Sequence, residues 1–153
     1  MFFKVLNEEL NDNGFQYKIG LNVYDSIFYY WDWNCESGFY FSKLENIFSW
    51  LNYGSKLAFI TIPPNSKVIH IGNKSKTDKL IIEKIINLKD WEMWNDEKFC
   101  FKAVKKSRYA LKYVKNQTDE ICIEAVKQNG LALEFVKNQT DEICIEAVKQ
   151  NGL

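Results

Sequence analysis

With 153 residues the chain has room for one ordinary domain or two small ones, and its 46% apolar content excludes wholesale disorder. Its 20 basic and 20 acidic side chains cancel, which excludes a generic electrostatic grip on nucleic acid. No apolar run approaches the ~18 residues of a membrane span, and the Met-Phe-Phe-Lys start lacks the features of a signal peptide, so a cytoplasmic protein is expected.

In chain order, the first half alternates short apolar runs with turn signals. Strands are expected at Phe2–Leu6, Phe15–Ile19, Phe39–Phe41, Leu57–Ile62 and Val68–Ile71, while Leu80–Ile86 reads as helix or strand. Between them Ser42 is placed to cap a helix over Lys43–Tyr53, whose Leu44, Ile47, Phe48 and Leu51 recur at helical spacing, with Gly54 as its stop. All five Trp, and 19 of the 24 aromatic residues, fall before position 96, so the two halves of the chain differ in kind. The boundary is expected near Lys89–Asn95.

The second half repeats. Ala110–Leu131 and Ala132–Leu153 differ at only two of 22 positions, Lys112 against Glu134 and Tyr113 against Phe135. A degenerate earlier copy places Cys100, Cys122 and Cys144 at the same period, in step with Ala103, Ala125 and Ala147. Each unit reads as two short helices. Thr118 or Asp119 caps the first, Ile121, Cys122, Ala125 and Val126 line one face, and Asn129-Gly130 ends it through the left-handed freedom of glycine. Leu131–Val136 is long enough for about two turns of the second. Helices this short need stacked neighbours. The last copy stops after its first helix, so the apolar face of Ile143, Cys144, Ala147 and Val148 is expected to lack a cover. The expected fold is thus an α+β domain over 1–92, joined to a short all-α solenoid of two-helix repeats over 93–153, with period 22 and an incomplete last unit.

Two resemblances arise from these residues. The run Gly14-Phe15-Gln16-Tyr17-Lys18-Ile19-Gly20-Leu21-Asn22, then Cys35-Glu36-Ser37-Gly38-Phe39-Tyr40-Phe41-Ser42, an amphipathic helix and Leu57–Pro63 resembles the N-terminal domain of giant-virus (mimivirus-like) proteins. In those proteins such a domain often precedes ankyrin or other short helical repeats. The repeat itself, Glu124 to Leu133, resembles a domain of unknown function found in giant viruses, bacteria and protists. Neither family implies an activity. Separately, a Gly-x-Tyr-Phe strand entering a helix, with a strand such as Leu57–Ile62 after it, is similar to the middle of ADP-ribosyltransferase folds. That similarity implies Tyr40 against a nicotinamide ring, Tyr17 where the family has His, and Glu83 as the acid.

Other candidate residues rest on chemistry alone. The aromatic run Phe28 to Trp33 either fills a core or, if exposed, offers Tyr30, Trp31 and Trp33 to a base, a cap nucleotide or a partner side chain. Lys74, Lys76 and Lys79 after Gly72 either hold a phosphate or form a solvated turn. The single His70 gives a triad or a His-based metal site little to build on, and the repeat cysteines are spaced by the period rather than as zinc pairs, so neither metal nor cofactor is expected. Cys35 has no basic neighbour to lower its pKa. The leading expectation is a non-enzymatic protein-interaction or scaffold protein of viral type, in the host cell cytoplasm, meeting a protein partner or its own copy through the repeat end. An ADP-ribosyltransferase-like nucleotide binder or enzyme, and an aromatic pocket for nucleic acid or a cap, are the alternatives.

Overall fold

A computed structural model describes residues 1–31 and 37–151. The chain divides into two compact units, Met1–Leu88 and Lys89–Leu153.

The first unit is built mainly from strands: β1 (Phe2–Leu6), β2 (Asn11–Asp12), β3 (Phe15–Gln16), β4 (Gly20–Val23), β5 (Phe39–Phe41), β6 (Lys56–Thr61), β7 (Val68–Ile71), β8 (Lys74–Thr77) and β9 (Lys79–Asn87). They form an antiparallel sheet ordered β1-β6-β9-β4, a three-stranded sheet β5-β8-β7 and the small hairpin β2-β3. A bridge ties the two larger sheets, with Phe3 and Ser42 exchanging both backbone bonds at 2.9 Å. Strand alternation sends Leu6, Ala58, Ile60, Leu80 and Ile82 to one face, where they pack with Tyr17, Phe39 and Phe41. Each fully buried Leu or Ile among them contributes roughly 1.5–3 kcal/mol of transfer free energy. Phe15, Tyr17 and Phe39 add a ring cluster with centroids 4.5 to 5.4 Å apart.

Several elements differ from the sequence expectation, each for a tertiary reason. The Leu80–Ile86 ambiguity resolves to strand, because β9 pairs on both sides, with β4 and β6. The segment after Ser42 is a 3₁₀ helix, Leu44–Trp50, flanked by Lys43 with no side-chain capping bond. Ser42 therefore caps nothing: its hydroxyl is buried and has no hydrogen-bond partner among the described residues. Gly54, expected as the helix stop, is instead required by close approach, since a Cβ there would collide with the Leu6 carbonyl of β1. Lys74 and Lys76, read with Lys79 as holding a phosphate or forming a solvated turn, lie instead on β8, the middle strand of its sheet. Its polar groups are satisfied internally: Lys76 donates to Ser37 Oγ at 3.1 Å, Thr77 donates to the Lys79 carbonyl at 2.9 Å, and Ser75 pairs with His70 at 2.8 Å.

The second unit carries the α-helices α1 (Glu97–Lys106), α2 (Asp119–Gln128) and α3 (Asp141–Asn151), joined through 3₁₀ helices at Arg108–Lys112 and Gly130–Phe135. Asp96, Thr118 and Thr140 occupy equivalent starts and accept from Phe99 N, Ile121 N and Ile143 N at 2.7, 3.3 and 3.4 Å. Helix α2 packs between α1 and α3. The predicted second helix of each copy is thus the tighter 3₁₀ form, which suits a connector this short. Gly130 sits after an extended Asn129 (φ −158°), not in the left-handed region; a Cβ there would meet the Ala147 carbonyl of α3. Its missing side chain lets successive copies approach. At the head of the stack Trp94 is fully buried among Trp91, Phe99 and Tyr113, the last stacked on it at 5.3 Å and 21°.

Candidate functional site

The two near-identical copies act as an internal control, because the same side chain is seen with and without a neighbouring repeat on its far side. Val126 and Cys122 of α2 are buried, whereas Val148 of α3 is 45% exposed and Cys144 is half-buried. Ile145 is 56% exposed where Ile123 is half-buried, and Leu133 is half-buried where Leu111 is buried. The sequence is unchanged at these positions, so the difference measures what the next copy covers. Ile143 and Ala147, expected on the open face with Cys144 and Val148, are fully buried inside the unit. Helical geometry explains the split: Ile143 and Ala147 face back onto α2, while Cys144, Val148 and Ile145 lie further round the helix.

Polar groups obey the same logic. Gln117 joins two copies: its Nε2 donates to the Leu111 and Phe135 carbonyls, both at 2.9 Å, and its Oε1 accepts from Lys137 N at 2.9 Å. Gln139 holds the equivalent place one period later. It donates to the Leu133 carbonyl at 3.0 Å, and among the described residues it makes neither of the two bonds by which Gln117 reaches the next copy. Glu134, one of the two positions at which the copies differ, faces Arg108 at 3.6 Å. This pair is partly exposed and contributes little to stability. The sequence reading missed Gln117 and Gln139; a polar side chain repeated at the turn beside a helix start was the available signal.

The other candidate residues scatter over the first unit. Tyr17 is 3% exposed, and burial, reinforced by Asp12, drives its phenol pKa upward. Tyr40 is half-buried on β5 and lines a cleft, while Glu83 is exposed on β9 and accepts from Thr61 Oγ1 at 2.6 Å. Neither Tyr17 nor Glu83 lines that cleft. Tyr30 and Trp31 are exposed, Trp31 by 77%. Lys74 lines the cleft with Tyr40, whereas Lys76 is completely buried beneath the Phe28 ring. Trp33 and Cys35 lie outside the described residues.

The repeat thiols differ in environment. Burial, with Asp96 beside it, pushes the Cys100 thiol up to about 11, and burial with Asp119 raises Cys122 as well. Because the thiolate is the reactive form, both should resist alkylation at neutral pH and react faster as pH approaches the raised pKa. Brief iodoacetamide treatment and then peptide mass spectrometry should therefore find Cys144 modified before Cys100 and Cys122; equal labelling of all three would contradict this ranking. Among the described residues no group of three His, Cys, Asp or Glu is placed to hold a metal ion, and no helix is long and apolar enough to cross a membrane.

Residues 118–153 match the family model of a domain of unknown function, DUF4116. Over 97 residues, 61% of its length, the chain is 31% identical to L797, a protein of Acanthamoeba polyphaga mimivirus described as a putative ankyrin repeat protein. The alignment takes in 21% of L797, so the chain spans about a fifth of that relative's length. No solved structure matches the chain.

Proposed function

We propose that this chain is a non-enzymatic protein-interaction module of viral type, whose repeats form a short solenoid and whose last copy docks a further helical repeat of the same kind. The observation that carries the reading is the contrast between Val126, which is buried, and Val148, which is 45% exposed in an identical sequence. Cys144, Ile145 and Val148 form the apolar part of the docking face, and Gln139 offers it a donor and an acceptor. The likeness to a mimivirus protein described as an ankyrin repeat protein supports an interaction role. A second copy of this chain is a poor occupant for the face. Head-to-tail stacking needs an open head, and here the head is closed by Trp91 and Trp94, both buried.

The test uses the full chain and a synthetic peptide covering residues 110–151, titrated by isothermal calorimetry. Saturable binding is expected, weakened by Val148→Asp through the apolar face and by Gln139→Ala through the lost bonds. Absence of binding at about 1 mM peptide, or binding that both variants leave unchanged, overturns the proposal. Sedimentation equilibrium provides the remaining arm: a dimer of the chain alone that Val148→Asp dissolves would assign the face to a second copy instead.

A further inference from the structure

One edge of the larger sheet in the first unit is open. In the order β1-β6-β9-β4, the β1 end is tied by the Phe3–Ser42 bridge, whereas among the described residues no strand pairs with the far side of β4. Tyr24 N, one residue past β4, donates at 2.8 Å to the carbonyl of Asp78, the residue before β9. Backbone direction alternates along an antiparallel strand, so Asn22 faces β9 as Tyr24 does. The N–H and C=O groups of Leu21 and Val23 therefore point away from β9, to the open side.

The edge is braced as well as open. Asn22, 1% exposed, accepts from Lys18 N at 3.1 Å and donates to the Lys18 and Gly20 carbonyls at 2.8 and 3.0 Å, which fixes the entry to the strand. With Asn22 turned inward, Leu21 and Val23 stand on the outer face, 51% and 44% exposed, and Leu21 lies opposite Ile81 of β9. Gly20-Leu21-Asn22-Val23 contains neither charge nor proline, the residues that keep a sheet edge from pairing with another strand. Such an edge is completed by an extended strand with apolar side chains at alternate positions.

The strand is its own complement. Turned about a two-fold axis through Asn22, perpendicular to the sheet, a second β4 sets Leu21 of each copy opposite Val23 of the other. Both pairs are of the kind that exchanges its N–H···O bonds, and the exposed side chains meet on one face. Across the joined sheets Ile81, Leu21 and the facing Val23 fall in one apolar row. We propose that β4 pairs antiparallel with β4 of a second copy of this chain in this register, joining the two sheets edge to edge. The contact uses none of the residues of the repeat face.

Sedimentation equilibrium of the full-length chain, with amide hydrogen exchange read by two-dimensional NMR, tests this. A pairing this short belongs with weak interfaces, so the dimer should be half-formed at about 100 μM chain. Leu21→Lys or Val23→Lys, both at exposed positions, should weaken it at least tenfold, roughly, with the thermal midpoint unchanged. Val68→Lys, at an exposed position on the outer strand β7 of the other large sheet, should leave it unaltered. In the unmodified chain, exchange of the Leu21 and Val23 amides should slow as the concentration rises from about 10 μM to about 1 mM. A chain that stays monomeric at about 1 mM overturns the proposal. So does a dimer that tolerates both lysine substitutions, or one that Val148→Asp dissolves, which would place the contact at the repeat end. A monomer whose two amides are protected by an added Thr-Val-Thr-Val-Thr peptide would assign the edge to an extended segment of another protein and overturn the second copy as its occupant.

Discussion

Replacing Trp94 by Ala is expected to destabilise the Lys89–Leu153 unit by about 3–5 kcal/mol, the cost of deleting a large aromatic side chain from a packed interior. Trp94 is completely buried, and its indole contacts Trp91, Phe99 and Tyr113, with ring centroids 5.9, 5.3 and 5.3 Å away. These contacts tie together residues before α1, in α1 and after it. Its backbone carbonyl, which accepts from Lys115 N and Cys100 Sγ at 3.3 Å, would survive the change, so those two bonds are not part of the loss. Urea denaturation monitored by far-UV circular dichroism checks it. Trp31→Ala is the matched control: that ring is 77% exposed, and its removal should cost within about 0.5 kcal/mol. Equal effects of the two changes would show that the head of the repeat stack is not packed as described.

Gln117→Ala should cost about 2–3 kcal/mol, whereas Gln139→Ala, the same substitution one period later, should cost about 0.5 kcal/mol or less in the unbound chain. Gln117 makes three bonds at 2.9 Å, to Leu111, Phe135 and Lys137, and two of them cross into the next copy. Among the described residues, Gln139 makes one bond at 3.0 Å, to the Leu133 carbonyl of its own copy. Thermal unfolding of both variants against the unmodified chain gives the comparison directly, since local sequence and backbone conformation are held constant. If a helical repeat docks on the last copy, its presence should bring the two costs together, because Gln139 would then make the bonds that Gln117 makes. Similar losses in the unbound chain would mean that the glutamine acts within its own copy, and the internal-control argument for the docking face would fail.

The repeat period, a helix start at Thr118 or Asp119 (Thr118 is the cap) and the core phase of Ile121, Cys122, Ala125 and Val126 were legible in the sequence. All of them depend on interactions within one or two helical turns, which local residue order encodes. The strands β1, β5 and β7 were legible for a similar reason, being short apolar or aromatic runs bounded by turn residues. Decisions that depend on residues far apart were not. Lys74–Thr77 carries the composition of a turn, and it becomes a strand because β5 and β7 flank it and Ser37 and His70 receive its polar groups. Gly54 and Gly130 looked like helix stops, yet each is required by the backbone it approaches, at Leu6 and Ala147. Tyr40 and Lys74 were singled out separately, for a ring contact and for a phosphate, and only folding places them 4.4 Å apart in one cleft. Composition and periodicity therefore determined that this chain joins an aromatic-rich part to a 22-residue helical repeat. Which of the repeated side chains stay exposed was decided by tertiary packing, because burial depends on the neighbour present in space and two identical segments do not have the same neighbours.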